Sequence, residues 1–172
     1  MTTMYGKGIE IHQVEHKQIL LRGKGDGSFA ETVNKEISLL PPSDNLRMIS
    51  NDKFLFAKQS FDQWALLCLV DESNEEISRL VSVMNANEEI LASDCSDGQV
   101  YFEITGENKN HYLSKLTHFD LRLKKFPVST MAQTLIARID CSVYHLKDKY
   151  LITCNSSFED YFKSRLQDAI NL

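Results

Sequence analysis

Three glycines fall within five residues in Arg22-Gly23-Lys24-Gly25-Asp26-Gly27-Ser28-Phe29, directly ahead of a helical pattern. A glycine-rich turn that opens a helix can cradle phosphates, because unpaired backbone N–H groups and the helix dipole both favour an anion. The spacing here is G-x-G-x-G, which departs from the G-x-G-x-x-G dinucleotide fingerprint. Lys24 precedes two of the glycines, so no Gly-Lys-Ser/Thr ending forms. The stretch therefore reads as a backbone turn that feeds a helix.

Asp94 and Asp97 are spaced so that they could act as paired carboxylates in acid–base work. Aspartate also initiates turns by bonding its own backbone, and Asp97-Gly98 is a hairpin signal. The turn reading is favoured, and Asp94, Ser96 and Asp97 remain as candidates for holding a cofactor. Cys141-x-x-x-His145 sets two ligand types on one face of a strand. A metal site needs three or four ligands and no second pair is visible, so no metal is expected. His12, His16, His111 and His118 fall on or near polar turns. Trp64 opens an apolar run and reads as core or interface.

These residues must be positioned by a small set of elements. Phe29, Val33 and Ile37 recur every four residues behind Ser28-x-x-Glu31, the pattern of a capping box followed by one apolar helical stripe. Pro41-Pro42 then stops that helix. Ser73-x-x-Glu76 opens a second helix with Ile77, Leu80, Val81 and Met84 inward. A weaker helix starts near Asn110, with Tyr112, Leu113 and Leu116 inward. Ser156-x-x-Glu159 opens the last, with Phe158, Phe162, Leu166, Ala169 and Ile170 inward.

The remaining segments read as strands. Residues 8–14 and 18–22 form an expected hairpin around Glu15-His16-Lys17, and 90–95 with 99–105 a second around Ser96-Asp97-Gly98. Strands are also expected over 46–50, 53–58, 63–70, 133–139, 142–146 and 149–154. Val100, Phe102 and Ile104 alternate with polar residues, as in a half-buried strand. The order is two strands, helix, three strands, helix, and then the same again at an offset of roughly 83 to 86 residues. The expected fold is α+β: duplicated β-β-α-β-β-β-α subdomains, with antiparallel sheets and helices, over residues 1–87 and 88–172.

Composition narrows the classes of function. Apolar residues make up 42% and charged residues 25%, which suits a globular chain able to bury a core. The net charge of −5 is spread without a basic block, so nucleic acid and anionic membrane are poor partners. No apolar run approaches the roughly 18 residues of a membrane span, and the first residues lack a signal-peptide pattern. A cytoplasmic chain is the expectation. Cys68, Cys95, Cys141 and Cys154 are irregularly spaced among apolar residues and read as buried thiols.

Several motifs in order resemble the gamma subunit of heterotetrameric sarcosine oxidase. Asp94-Cys95-Ser96-Asp97-Gly98 is similar to that family's Asp-x-Ser-x-Gly stretch, Asp120-Leu121 to its Asp-Leu pair, and Phe126-Pro127 to its Phe-Pro. Ala132-Gln133-Thr134-Leu135 is the strongest match. Ser157-Phe158 with Tyr161 resembles the start of the family's final helix, and Asp62-Gln63-Trp64-Ala65-Leu66 its Asp-Glu-Trp-Leu segment.

The resemblance implies a fold like the folate-binding domain of aminomethyltransferase, the T-protein of glycine cleavage. It also implies a non-catalytic subunit that aids assembly or stability of a complex with alpha, beta and delta subunits. That complex demethylates sarcosine oxidatively to glycine, forming methylenetetrahydrofolate and hydrogen peroxide. FAD, FMN, NAD and tetrahydrofolate are expected on the partner subunits and none on this chain. No catalytic residue carries over; Trp64, Gln133 and Thr134 are the interface candidates. The alternative is a folate-binding or aminomethyltransferase-like protein that acts alone.

Overall fold

The computed structural model describes all 172 residues. In chain order the elements are β1 (Thr3–Gly6), β2 (Ile9–Val14), β3 (Lys17–Arg22), α1 (Gly27–Ile37), β4 (Met48–Ser50), β5 (Phe54–Lys58), β6 (Gln63–Cys68) and α2 (Asn74–Asn85). They continue as β7 (Leu91–Asp94), β8 (Gln99–Thr105), α3 (Lys109–Leu113), β9 (Met131–Ile136), β10 (Ile139–His145), β11 (Tyr150–Asn155) and α4 (Glu159–Asn171).

The helices follow their apolar stripes. Phe29, Val33 and Ile37 are the buried residues of α1, and Ile77, Leu80 and Met84 those of α2. In α4, Phe162, Leu166 and Ala169 are buried, whereas Phe158 lies in a preceding 3-10 turn and is 46% exposed, not inward. Of the three capping boxes, only Ser73 caps: its Oγ accepts from Glu76 N at 3.1 Å. Ahead of α4 the cap is Asn155, whose Oδ1 accepts from Ser157 N at 2.9 Å. Ser28 lies inside α1 and its hydroxyl is used elsewhere. The α1 helix ends in a left-handed cap at Ser38 (φ 57°), whose N–H donates to Asn34 O.

Neither expected hairpin forms. The strands β2 and β3 follow each other in sequence but enter different sheets, and so do β7 and β8. In one sheet, β3 lies between β6 and β7, both antiparallel to it. In the other, β8 lies between β11 and β2, again antiparallel. A central strand needs a backbone partner on each edge, and a hairpin neighbour is only one way to supply it. Here each half supplies the first strand of its series to the other half's sheet.

The two sheets therefore match strand for strand. One runs β4-β5-β6-β3-β7; the other runs β9-β10-β11-β8-β2, with β1 added outside β2. The register repeats as well: Lys17 faces Cys68 in one sheet and Val100 faces Cys154 in the other, offsets of 83 and 86 residues. Two compact units result, residues 16–96 and residues 1–15 with 97–172. A boundary at residue 87 runs differently, because it leaves β2 and β7 on the sides opposite to the sheets they join.

Each unit has its own core. In residues 16–96, Phe29, Phe56 and Trp64 pack with Ile19, Leu21 and Leu66. The Trp64 ring stacks on Phe56 at 5.3 Å and tilts against Phe29 at 5.5 Å. In the other unit, Phe102 and Phe162 meet at 5.4 Å among Ile104, Val143 and Ile152. Each such aromatic contributes about 1.5–3 kcal/mol through burial.

Candidate functional site

The glycine loop is occupied by its own chain. Gly23 (φ 153°) and Gly25 (φ 89°) take backbone angles that favour glycine, and a Cβ on Gly25 would collide with the Trp64 ring. Trp64 Nε1 donates to Gly23 O at 3.0 Å, which pins the loop to the core. At the start of α1, Ser28 Oγ donates to Glu89 Oε2 at 2.8 Å. Asn87 Nδ2 donates to Ser28 O at 3.0 Å and to Thr32 Oγ1 at 2.9 Å. An endogenous carboxylate thus stands at this helix N-terminus, where the dipole favours negative charge.

The aspartate candidates are similarly committed. Asp94 Oδ1 accepts from Ser96 N at 3.0 Å and from the Ser96 hydroxyl, so its carboxylate closes a local turn. Ser96 Oγ also accepts from Gln18 N at 3.1 Å. Asp97 is exposed in the 3-10 turn Ser96–Gly98, with no partner beside it.

Cys141 and Cys154 face each other across β10 and β11 in the core of their unit. The facing Cys154 thiol, with burial, pushes the Cys141 thiol up and holds it protonated. His145 shares the strand face with Cys141, but its Nδ1 pairs with Phe126 O at 2.8 Å and its ring packs on Phe126 and Tyr150. No group of three or more His, Cys, Asp or Glu side chains is placed to hold a metal ion. His12 sits 3.0 Å from Glu10, and His16 Nδ1 lies 3.0 Å from Cys68 O; the histidines do not converge. Burial pushes the Cys68 thiol up to about 12, with Glu72 adding to the effect.

Of the interface candidates, Trp64 is 1% exposed inside its own unit, which leaves no ring surface for a partner. Gln133 and Thr134 lie on β9, which ends the order of its sheet and has β10 on one side only. Gln133 points away from the helix-covered face, as does Leu135, which is 53% exposed. Grooves of about 670 and 680 Å³ border this edge strand, and Thr134 and Leu135 line both.

The first groove escaped sequence reasoning. Its walls are the segment 114–119, the tip of the β9–β10 hairpin and the first turns of α4. Ala137 N donates to Leu116 O at 2.8 Å, and Tyr161 Oη to Ala137 O at 3.4 Å, so the hairpin tip is tied to both neighbours. Ala137 (φ 53°) and Arg138 (φ 67°) make the turn, which therefore breaks the strand expected over 133–139. Two residues with positive φ form a type I′ hairpin, a role usually signalled by Asn-Gly. Ala-Arg carries no such signal, which hid both the turn and the groove beside it.

Comparison with known proteins follows the same outline. Residues 22–171 match the family described as sarcosine oxidase, gamma subunit family. A chain of the heterotetrameric sarcosine oxidase from Corynebacterium sp. U-96, solved in complex with pyrrole 2-carboxylate, aligns with a TM-score of 0.84 at 17% identity. That alignment covers 95% of this chain and 84% of the other. Glycine cleavage system aminomethyltransferase T from Bartonella henselae aligns with a TM-score of 0.70 at 10% identity, covering 92% of this chain and 45% of that one. At these identities the likeness is one of fold, and it bears out the expected aminomethyltransferase-like α+β architecture. A search of curated proteins gave no match.

Proposed function

We propose that this chain, which belongs to the sarcosine oxidase gamma subunit family, serves as a non-catalytic subunit that assembles and stabilises a heterotetrameric sarcosine oxidase. In this reading the alpha, beta and delta subunits carry FAD, FMN, NAD and tetrahydrofolate. The assembled enzyme demethylates sarcosine to glycine, with the one-carbon unit leaving as methylenetetrahydrofolate and oxygen becoming hydrogen peroxide.

The observation that carries the reading is the β9 edge. A strand that ends its sheet presents unpaired backbone groups and invites another chain. Here that edge also shows the side chain of Leu135, 53% exposed, beside Gln133. The groups best suited to chemistry are meanwhile engaged by neighbours in this chain: Cys141 by Cys154 and His145 by Phe126 in the core, and Asp94 by Ser96 in a surface turn. An exposed apolar edge with no assembled reaction centre suits a docking subunit.

Co-expression with tagged alpha, beta and delta subunits tests this. The natural chain is expected to co-purify, and Leu135→Ser to reduce its recovery severalfold while leaving its unfolding free energy in urea within about 0.5 kcal/mol of the natural value. An oxidase that forms in full yield and activity without this chain would refute the proposal.

A further inference from the structure

We propose that the groove between segment 114–119, the Ala137-Arg138 tip and α4 is a binding site for a small organic oxyanion, a carboxylate or phosphate carried on a flat apolar body. The first ground is charge. Lys115, Arg138 and Arg165 line the groove beside the His118 ring, and no carboxylate does. The unit that contains it holds 11 Asp and Glu against 11 Lys and Arg, so this one-sign lining is a local segregation.

The second ground is availability. Arg165 Nη1 donates to Asp168 at 2.9 Å, while Lys115 Nζ donates to Ala169 O at 2.9 Å and lies over the Tyr112 ring, so both are held in place. Arg138 is exposed, and no ion pair or hydrogen bond engages its guanidinium. A planar guanidinium fork fits a carboxylate or phosphate through two parallel hydrogen bonds. Because the type I′ turn and its bond to Leu116 fix the Arg138 backbone, that fork starts from a defined position.

The third ground is shape. About 670 Å³ lies within the range of small-ligand pockets. Phe119 and the half-exposed Tyr161 line it, offering apolar ring surface beside the cations. Such a lining selects an anion with an aromatic or otherwise planar portion over a bare ion.

Titration of the full-length chain by two-dimensional NMR tests the proposal with four probes: benzoate, phenyl phosphate, inorganic phosphate and neutral benzamide. Benzoate or phenyl phosphate should give saturable shifts at Thr117, Arg138 and Tyr161, and their relative affinities tell a carboxylate site from a phosphate site. Benzamide and inorganic phosphate should each bind about tenfold more weakly, one lacking the charge and the other the ring. Arg138→Gln should weaken the better probe by about tenfold, and the exposed Lys124→Gln, away from the groove, should leave it unchanged. Absence of saturable shifts, equal binding of benzamide, or equal binding by Arg138→Gln would overturn the proposal. So would a groove that only a protein subunit fills, with no small anion bound. The readout uses this chain alone, so its failure is distinct from failure of the assembly test.

Discussion

The Ser28 hydroxyl donates to Glu89 Oε2 at 2.8 Å, and this pair explains a loop whose composition suggests a phosphate site. The opening turn of α1 already has a carboxylate beside it, and Asn87 joins both partners, with its Nδ2 donating to Ser28 Oγ and its Oδ1 accepting from Glu89 N. A phosphate would have to displace that arrangement and would meet Glu89 as a like charge. Titration with inorganic phosphate is therefore expected to leave the Gly27 and Ser28 amide signals unmoved. Asn87→Ala removes several of these bonds at once and should cost about 1–2 kcal/mol in urea unfolding.

Gly25 is held against the core by the Trp64 ring and has φ 89°. Gly25→Ala brings steric conflict and backbone strain together, and should destabilise residues 16–96 by more than about 2 kcal/mol. Trp64 is the only tryptophan, so its fluorescence reports that loss directly during denaturation.

The exchange of β2 and β7 predicts how fragments behave. Residues 1–87 lack β7, one of the two strands that flank β3, and residues 88–172 lack β2, one of the two that flank β8. Neither fragment should show a dispersed amide spectrum alone, whereas an equimolar mixture should regain the spectrum of the intact chain. Independent folding of both fragments would contradict the pairing.

Cys68 gives stability an alkaline limit. Its ordinary pKa of 9.0 is pushed up to about 12 in the folded state, chiefly by burial. Below pH 9 both states hold the proton and the group contributes no pH dependence. Between pH 9 and about 12 the unfolded chain releases a proton that the folded chain keeps, so stability falls as pH rises. Cys68→Ala should flatten that part of the profile, after allowance for the sulfur lost from the core. With a thiol reagent at mildly alkaline pH, the partly exposed Cys95 should react first among the four.

The helical stripes were legible in sequence because a period of 3.6 is a local property. Phe29, Val33 and Ile37, and later Phe162, Leu166 and Ala169, are buried as that period requires. Caps were less legible: serine followed by glutamate three residues later occurs at three places, but only Ser73 has the extended geometry and the free N–H that make it a cap. The strand character of β8 was equally clear from the alternation of Val100, Phe102 and Ile104. The short β1 strand was not, since Thr3–Gly6 has too few apolar residues to mark a face.

The sequence by itself determined the kinds of element, their repeated order, the α+β class and, through an ordered set of weak motifs, the family. Tertiary structure alone decided which strand lies beside which. A strand's apolar face shows in its own residues, whereas its edge can pair with any antiparallel neighbour of suitable register. For that reason β2 and β3, adjacent in sequence, separate into different sheets, and β2 instead sets Ile11 opposite Ile104. The groove at Arg138 was hidden for a related reason: its charge and rings come from residues 114–119, 134–138 and 161–165, which only folding brings together.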